Sequence, residues 1–287
     1  GYGFATEFWM LLLFSLLAGL GNSVFHPADL SILTQKVTSF RLGKAYGVHA
    51  FSGNVGWAAA PLFVIYATQL FNWKTALILA GFLGLLVVLF FIIFGNDLND
   101  RKFGSNVRID APVFSLASLN ENLSLLLSST ILSCFCFFAL LAAALVGVQS
   151  FGISAIQDLY DITITHATFA LSTFLVCSAI GILSGGILAD KTTRHDLIAM
   201  IGVMLSGLVL ILIGSQLITA SSVIACLGLS GFFSGFTAPS RDMLVKKVTP
   251  TGSTGRIFGF VYSGLDFGSS LMPLLLGLIM DLSLIHI

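Results

Sequence analysis

The sequence predicts an all-α membrane protein built from two tandem units of like orientation, and three observations carry that prediction. The first is composition: 56% of the 287 residues are hydrophobic and 9% charged, with a mean hydropathy of +1.00, whereas soluble domains carry roughly 25% charged residues. The second is segmentation. Stretches near 8–33, 45–70, 74–94, 128–152, 167–189, 196–215, 220–244 and 256–280 are each apolar and long enough to cross a hydrocarbon core of about 30 Å as a helix. The third is a repeat covering Leu16 to Val64. An ungapped shift of 212 places Gly19 on Gly231, Pro27 on Pro239, Lys44 on Arg256, Gly47 on Gly259, Asn54 on Asp266, Gly56 on Gly268 and Pro61 on Pro273. Leu matches Ile anywhere in apolar sequence, so the glycines, prolines and charges carry the argument for a duplicated membrane unit.

The connections orient the helices. Lys36, Arg41 and Lys44 follow the first span; Arg101, Lys102 and Arg108 the third; Lys191 and Arg194 the fifth; Arg241, Lys246, Lys247 and Arg256 the seventh. Of thirteen basic residues only Lys74 lies on the opposite set, which predicts a multi-pass protein of the cell's inner (plasma) membrane with these loops cytoplasmic and Gly1 outside. The polar run from Gly95 to about Glu121 reads as the joint between halves, dividing the chain into 1–94, a cytoplasmic loop 95–127, and 128–287. Six spans fill the repeat period, so the eight present correspond to helices 4 to 11 of an expected twelve, and the chain reads as truncated. Residues 76–94 hold no polar side chain, and 197–213 only Ser206; both spans read as lipid-facing supports.

Several functions are excluded by composition. A formal net charge of +0 gives no basis for nucleic-acid binding. Cys134, Cys136, Cys177 and Cys226 all lie in apolar spans and make neither a disulfide framework nor a zinc site. No G-x-x-x-x-G-K-S/T loop occurs, so ATP hydrolysis by this chain is not expected; no metal and no cofactor are expected either.

Gly186-Ile187-Leu188-Ala189-Asp190-Lys191-Thr192-Thr193-Arg194-His195 resembles the cytoplasmic loop signature G-x-L-A-D-R/K-x-G-R-R/K of the major facilitator superfamily in its second-half copy, departing at Thr193 and His195. That resemblance covers the whole chain and implies two six-helix halves, of which eight transmembrane helices are present, and transport as the activity. Over about fifty residues, Ser23-Val24-Phe25-His26-Pro27 with Arg41-Leu42-Gly43-Lys44 is similar to fosmidomycin-resistance-type exporters. Ala60-Pro61-Leu62-Phe63-Val64-Ile65 does not meet the G-P-x-x-G-G signature of proton-coupled drug antiporters.

Candidate site residues follow from depth. Asp266 stands ten residues after Arg256, about 15 Å into the membrane, and its repeat mate Asn54 is equally deep after Lys44. Tyr262, Asp266, Ser269 and Pro273 share one helical stripe. A carboxylate at that depth is costly unless paired, protonated or wet, so Asp266 is either a proton- or substrate-handling group or a structural acid held by neighbouring hydroxyls. Gln149 either meets substrate or packs between helices. Nearer the cytoplasmic side, Asn22, His26 and Asp29 share a face, with His49 at similar depth on the next span. They form either a pH-sensitive gate or a helix-end cluster in which Asp29 pairs with Arg41 or Lys44. Asp190 and Arg194, with Lys191, are a gate by resemblance or an anchor by charge alone. Pro27 and Pro239 are expected to kink their helices. Gly181-x-x-x-Gly185, Gly231-x-x-x-Gly235 and Gly264-x-x-x-Gly268 are read as close-packing surfaces within one chain that slide as the halves rock.

The sequence thus predicts a secondary transporter working by alternating access, with the lipid bilayer and a small organic substrate as partners, proton coupling and a monomeric state. The alternatives are a passive facilitator or channel and, further off, an intramembrane enzyme. Ser263 has no His within a turn, which argues against the last.

Overall fold

A computed structural model describes residues 1–95, 123–250 and 252–285. All eight expected spans are helical and long enough to cross a membrane. The first is divided at Val24 into α1 (Phe8–Ser23) and α2 (Phe25–Lys36); then come α3 (Leu42–Leu70), α4 (Trp73–Phe94), α5 (Ser129–Tyr160), α6 (Ile164–Ala189), α7 (His195–Gly214), α8 (Val223–Val248) and α9 (Thr254–Ile285). The loop expected at 95–127, with Arg101, Lys102 and Arg108, lies almost wholly outside the described residues.

The repeated prolines behave differently. Pro27 falls in the first turn of α2, where a missing N–H interrupts nothing. The chain breaks just before it. Pro239 and Pro273 instead sit inside the continuous α8 and α9. The break also corrects the expected polar face: Asn22 belongs to α1 and is exposed, while His26 and Asp29 belong to α2.

Glycine decides which helices touch most closely. A Cβ added at Gly181 or Gly185 would strike the backbone of Phe232 or Phe236, and one at Gly231 or Gly235 that of Phe174 or Ser178. So α6 and α8 approach backbone to backbone through reciprocal glycine pairs. Gly264 and Gly268 do the same for α9 against Phe135 and Ala139 of α5. These pairs lie among the later helices, so they are not where earlier and later helices meet. That role falls to Gly43 and Gly47 of α3 against Ala189 and Gly186 of α6.

The buried core forms two clusters. One joins Leu30 of α2, Leu42 and Tyr46 of α3, Ile131 and Phe138 of α5, Val245 of α8 and Ile257, Phe258, Val261 and Tyr262 of α9. It lies at the end of the helices that carries Lys36, Arg41, Lys44, Lys246 and Arg256, here called the basic end. The other, around Phe174, Ile213, Val223 and Leu227, draws only on residues after 144. Earlier and later helices therefore share a core at the basic end, and beyond it they diverge. Along α3, Leu42, Gly43, Tyr46 and Gly47 are buried, whereas the stretch from Gly53 to Ala60 is exposed apart from half-buried Asn54. On α4 every residue from Gly81 to Phe94 is exposed, as its composition leads one to expect. By contrast α7 is two-sided: Met200, Met204 and Leu208 face outward, while Ser206 is buried 2.9 Å from the Ser230 hydroxyl of α8.

Candidate functional site

Three polar assemblies hold the basic end together. The first is a cap supplied across the interface. No side chain at Arg41 caps α3, leaving the first amides of that helix to find acceptors elsewhere. Asp190, at the end of α6, takes them: Gly43 N–H donates to Oδ1 at 2.7 Å and Lys44 N–H to Oδ2 at 3.3 Å. A carboxylate there also meets the positive end of the α3 dipole. Gly43 is required, because a Cβ would lie 2.7 Å from that of Ala189 and 2.8 Å from Asp190 Oδ1. Arg194 does not join this contact. Its Nε and Nη2 donate to Asp196 at 3.3 and 3.2 Å, an exposed pair that raises the Arg194 pKa further above its ordinary value.

The second assembly is a buried network on α8 and α9. Tyr262 O–H donates to Asp242 Oδ1 at 2.8 Å, and Arg241 Nε donates to the same oxygen at 3.1 Å. The Arg241 guanidinium lies 4.5 Å from the ring centroid of Phe138 and 5.9 Å from that of Tyr262. Asp242 is 2% exposed, and a charge so deep needs its partners. In the sequence Arg241 looks like one more loop charge and Asp242 its unremarkable neighbour. The repeat held a signal, since the 212-residue shift puts Arg241 on Asp29, so both copies carry a charge two residues past the shared proline.

The third joins α2 to α3. His49 Nε2 lies 3.0 Å and His26 Nδ1 3.6 Å from Asp29 Oδ2. Asp29 thus turns to two imidazoles rather than to the expected Arg41 or Lys44. The His26 ring also packs 4.9 Å from that of Tyr262, so this group touches the second assembly. In one more link across the core, Thr34 and Tyr46 share a hydrogen bond of 2.7 Å.

The deeper candidates stand apart from this packed end. Asp266 is exposed, one helical turn beyond Tyr262 on the same stripe of α9. Asn54 donates to the Ala50 carbonyl of its own helix at 3.0 Å. Gln149, on α5, is exposed. Of the expected deep group, only Tyr262 is drawn into the buried network.

No curated protein matches the chain. A family model described as Major Facilitator Superfamily matches it twice, over residues 1–156 and 126–285. With eight helices long and apolar enough to cross a membrane, and with family matches that together span residues 1–285, the chain belongs to the Major Facilitator Superfamily and is a membrane transporter.

Proposed function

We propose that the protein is a secondary active transporter that moves a small organic molecule by alternating access, coupled to protons through Asp266. One observation carries this reading: among the described residues, earlier and later helices share a buried core at the basic end and none beyond it, where half-buried Asn54 and exposed Asp266 lie. Such a shape supports a pathway shut at one end and accessible from the other. With the basic end cytoplasmic, as the positive-inside rule has it, the conformation is outward-open. Asp190, Asp29, His26 and His49 then belong to the cytoplasmic closure, and Asp266, Asn54 and Gln149 border the route. Similarity in the Ser23–Pro27 stretch to fosmidomycin-resistance-type exporters favours an exporter of small polar toxins.

The experiment begins with cells expressing the chain, challenged with a panel of small toxic organic anions, cations and neutral compounds. Any compound whose toxicity shifts is then followed in inverted vesicles under an imposed pH gradient. Asp266→Asn is expected to abolish gradient-driven accumulation while leaving substrate exchange. Driven transport unchanged in Asp266→Asn removes Asp266 from coupling; equilibration without accumulation in the unaltered protein makes it a passive facilitator.

A further inference from the structure

We propose that His26, Asp29 and His49 form a binding site for a divalent transition-metal cation of the zinc class, held between α2 and α3. The inference does not depend on what the protein transports. Nδ1 of His26, a carboxylate oxygen of Asp29 and Nε2 of His49 all lie within 4.8 Å of one another. Around a tetrahedral zinc, with bonds of about 2.0–2.2 Å, ligand atoms sit about 3.3 Å apart. The observed separations from Asp29 Oδ2, 3.0 and 3.6 Å, bracket that spacing.

Proximity alone would describe an ion pair, but the directions are wrong for one fully satisfied by hydrogen bonds. Both Asp29 oxygens and His26 Nδ1 are buried, and although His49 Nε2 lies 3.0 Å from Oδ2, none of the three makes a hydrogen bond of acceptable direction. Buried polar atoms are ordinarily paired, and a cation bound by His26 Nδ1, an Asp29 oxygen and His49 Nε2 would supply the missing partner. The scaffold is also appropriate. His26 and Asp29 are three apart on the first turns of α2, hence on one face, and His49 comes from the second turn of α3. Two helices thus supply three ligands without any loop.

The donor set selects the metal. Two imidazole nitrogens and one carboxylate suit Zn, Co, Ni or Fe, whereas Mg and Ca favour all-oxygen shells. With neutral imidazoles the set carries one negative charge, which a divalent cation more than balances. Three protein ligands leave a fourth position for water or an exogenous donor. Because the His26 ring packs on Tyr262 of α9, a bound cation would stiffen α2 and α3 where they meet the later helices.

The test uses the full chain in detergent micelles, stripped of metal and titrated with Co2+, whose tetrahedral complexes absorb visibly, and then with Zn2+. One Co2+ per chain is expected, displaced by Zn2+ and not by excess Mg2+ or Ca2+. Asp29→Asn and His49→Gln should each weaken binding by more than the roughly 100-fold that loss of an outer-shell partner costs a metal site. A His166→Gln/His195→Gln double variant should bind as the unaltered chain does. His26→Gln, altering the most exposed of the three side chains, guards against misfolding: its helical circular dichroism should persist while the cobalt spectrum changes. No binding by the unaltered chain, or equal binding by folded His49→Gln or His26→Gln, overturns the proposal.

Discussion

Asp190 does for α3 what that helix's own N-cap residue does not. Replacing an N-cap carboxylate by Ala costs about 0.5–2 kcal/mol, and here the loss falls on the contact between earlier and later helices. Asp190→Ala should therefore loosen the basic end: spin labels at the exposed Val48 and Ile187 are expected to show a broader, longer distance distribution. Arg194→Ala, which removes a side chain that donates to Asp196, should leave it unmoved. The Arg241–Asp242–Tyr262 network makes a sharper demand. Asp242→Ala leaves a buried guanidinium uncompensated, expected to cost about 3–5 kcal/mol, whereas Arg241→Met with Asp242→Leu should fall much nearer the unaltered protein. Thermal unfolding in detergent separates the two; equal losses would mean that the charges are solvated. Asp190 and Arg194 were legible as candidates in the sequence. The partner of Asp190 was not, because backbone amides 147 and 146 residues away leave no mark on composition.

Among the elements, α6 and α8 form the tightest pair because two glycines on each admit the other's backbone. Gly231→Ala should lower the unfolding midpoint markedly, since the added methyl meets the Phe174 backbone. Gly81→Ala on α4 has nothing within 4 Å and should be neutral or stabilising by about 0.5–1 kcal/mol through helix propensity. The spacing of these glycines was visible in the chain, and so was their use within one molecule. Their location was not: they bind the later helices to one another, and the interface with α3 uses Gly43, Gly47 and Gly186. Proline tells the same story, for one repeated residue lies just past a break while its mate rides inside a continuous helix.

For the molecule as a whole, the proposed rocking requires the basic end to open during transport. Ala28 and Gly255 line one groove between α2 and the start of α9. Paired cysteines there, in a background lacking the four native ones, are expected to cross-link under mild oxidation and to arrest transport until reduced. Transport at full rate with the link intact would rule out opening at that end. Orientation has its own check. Leu217→Cys, at the end remote from the basic loops and 81% exposed, should react with an impermeant maleimide in intact cells, and Thr192→Cys only after permeabilisation.

Sequence by itself determined the number of spans and most of their limits to within about five residues, the end of α5 at Tyr160 rather than 152 being the exception, because hydropathy is a local property. It also marked His26, Asp29 and His49 as lying at one level. Only tertiary structure decided what each polar group faces, since that depends on how each helix is rotated about its axis and which neighbour it meets. Rotation turned Asp29 toward two histidines instead of the loop cations, and left Asp266 open while Tyr262, one turn away, was buried against Asp242. Those choices are made by glycine contacts and buried charges summed over several helices, and no single stretch of chain contains them.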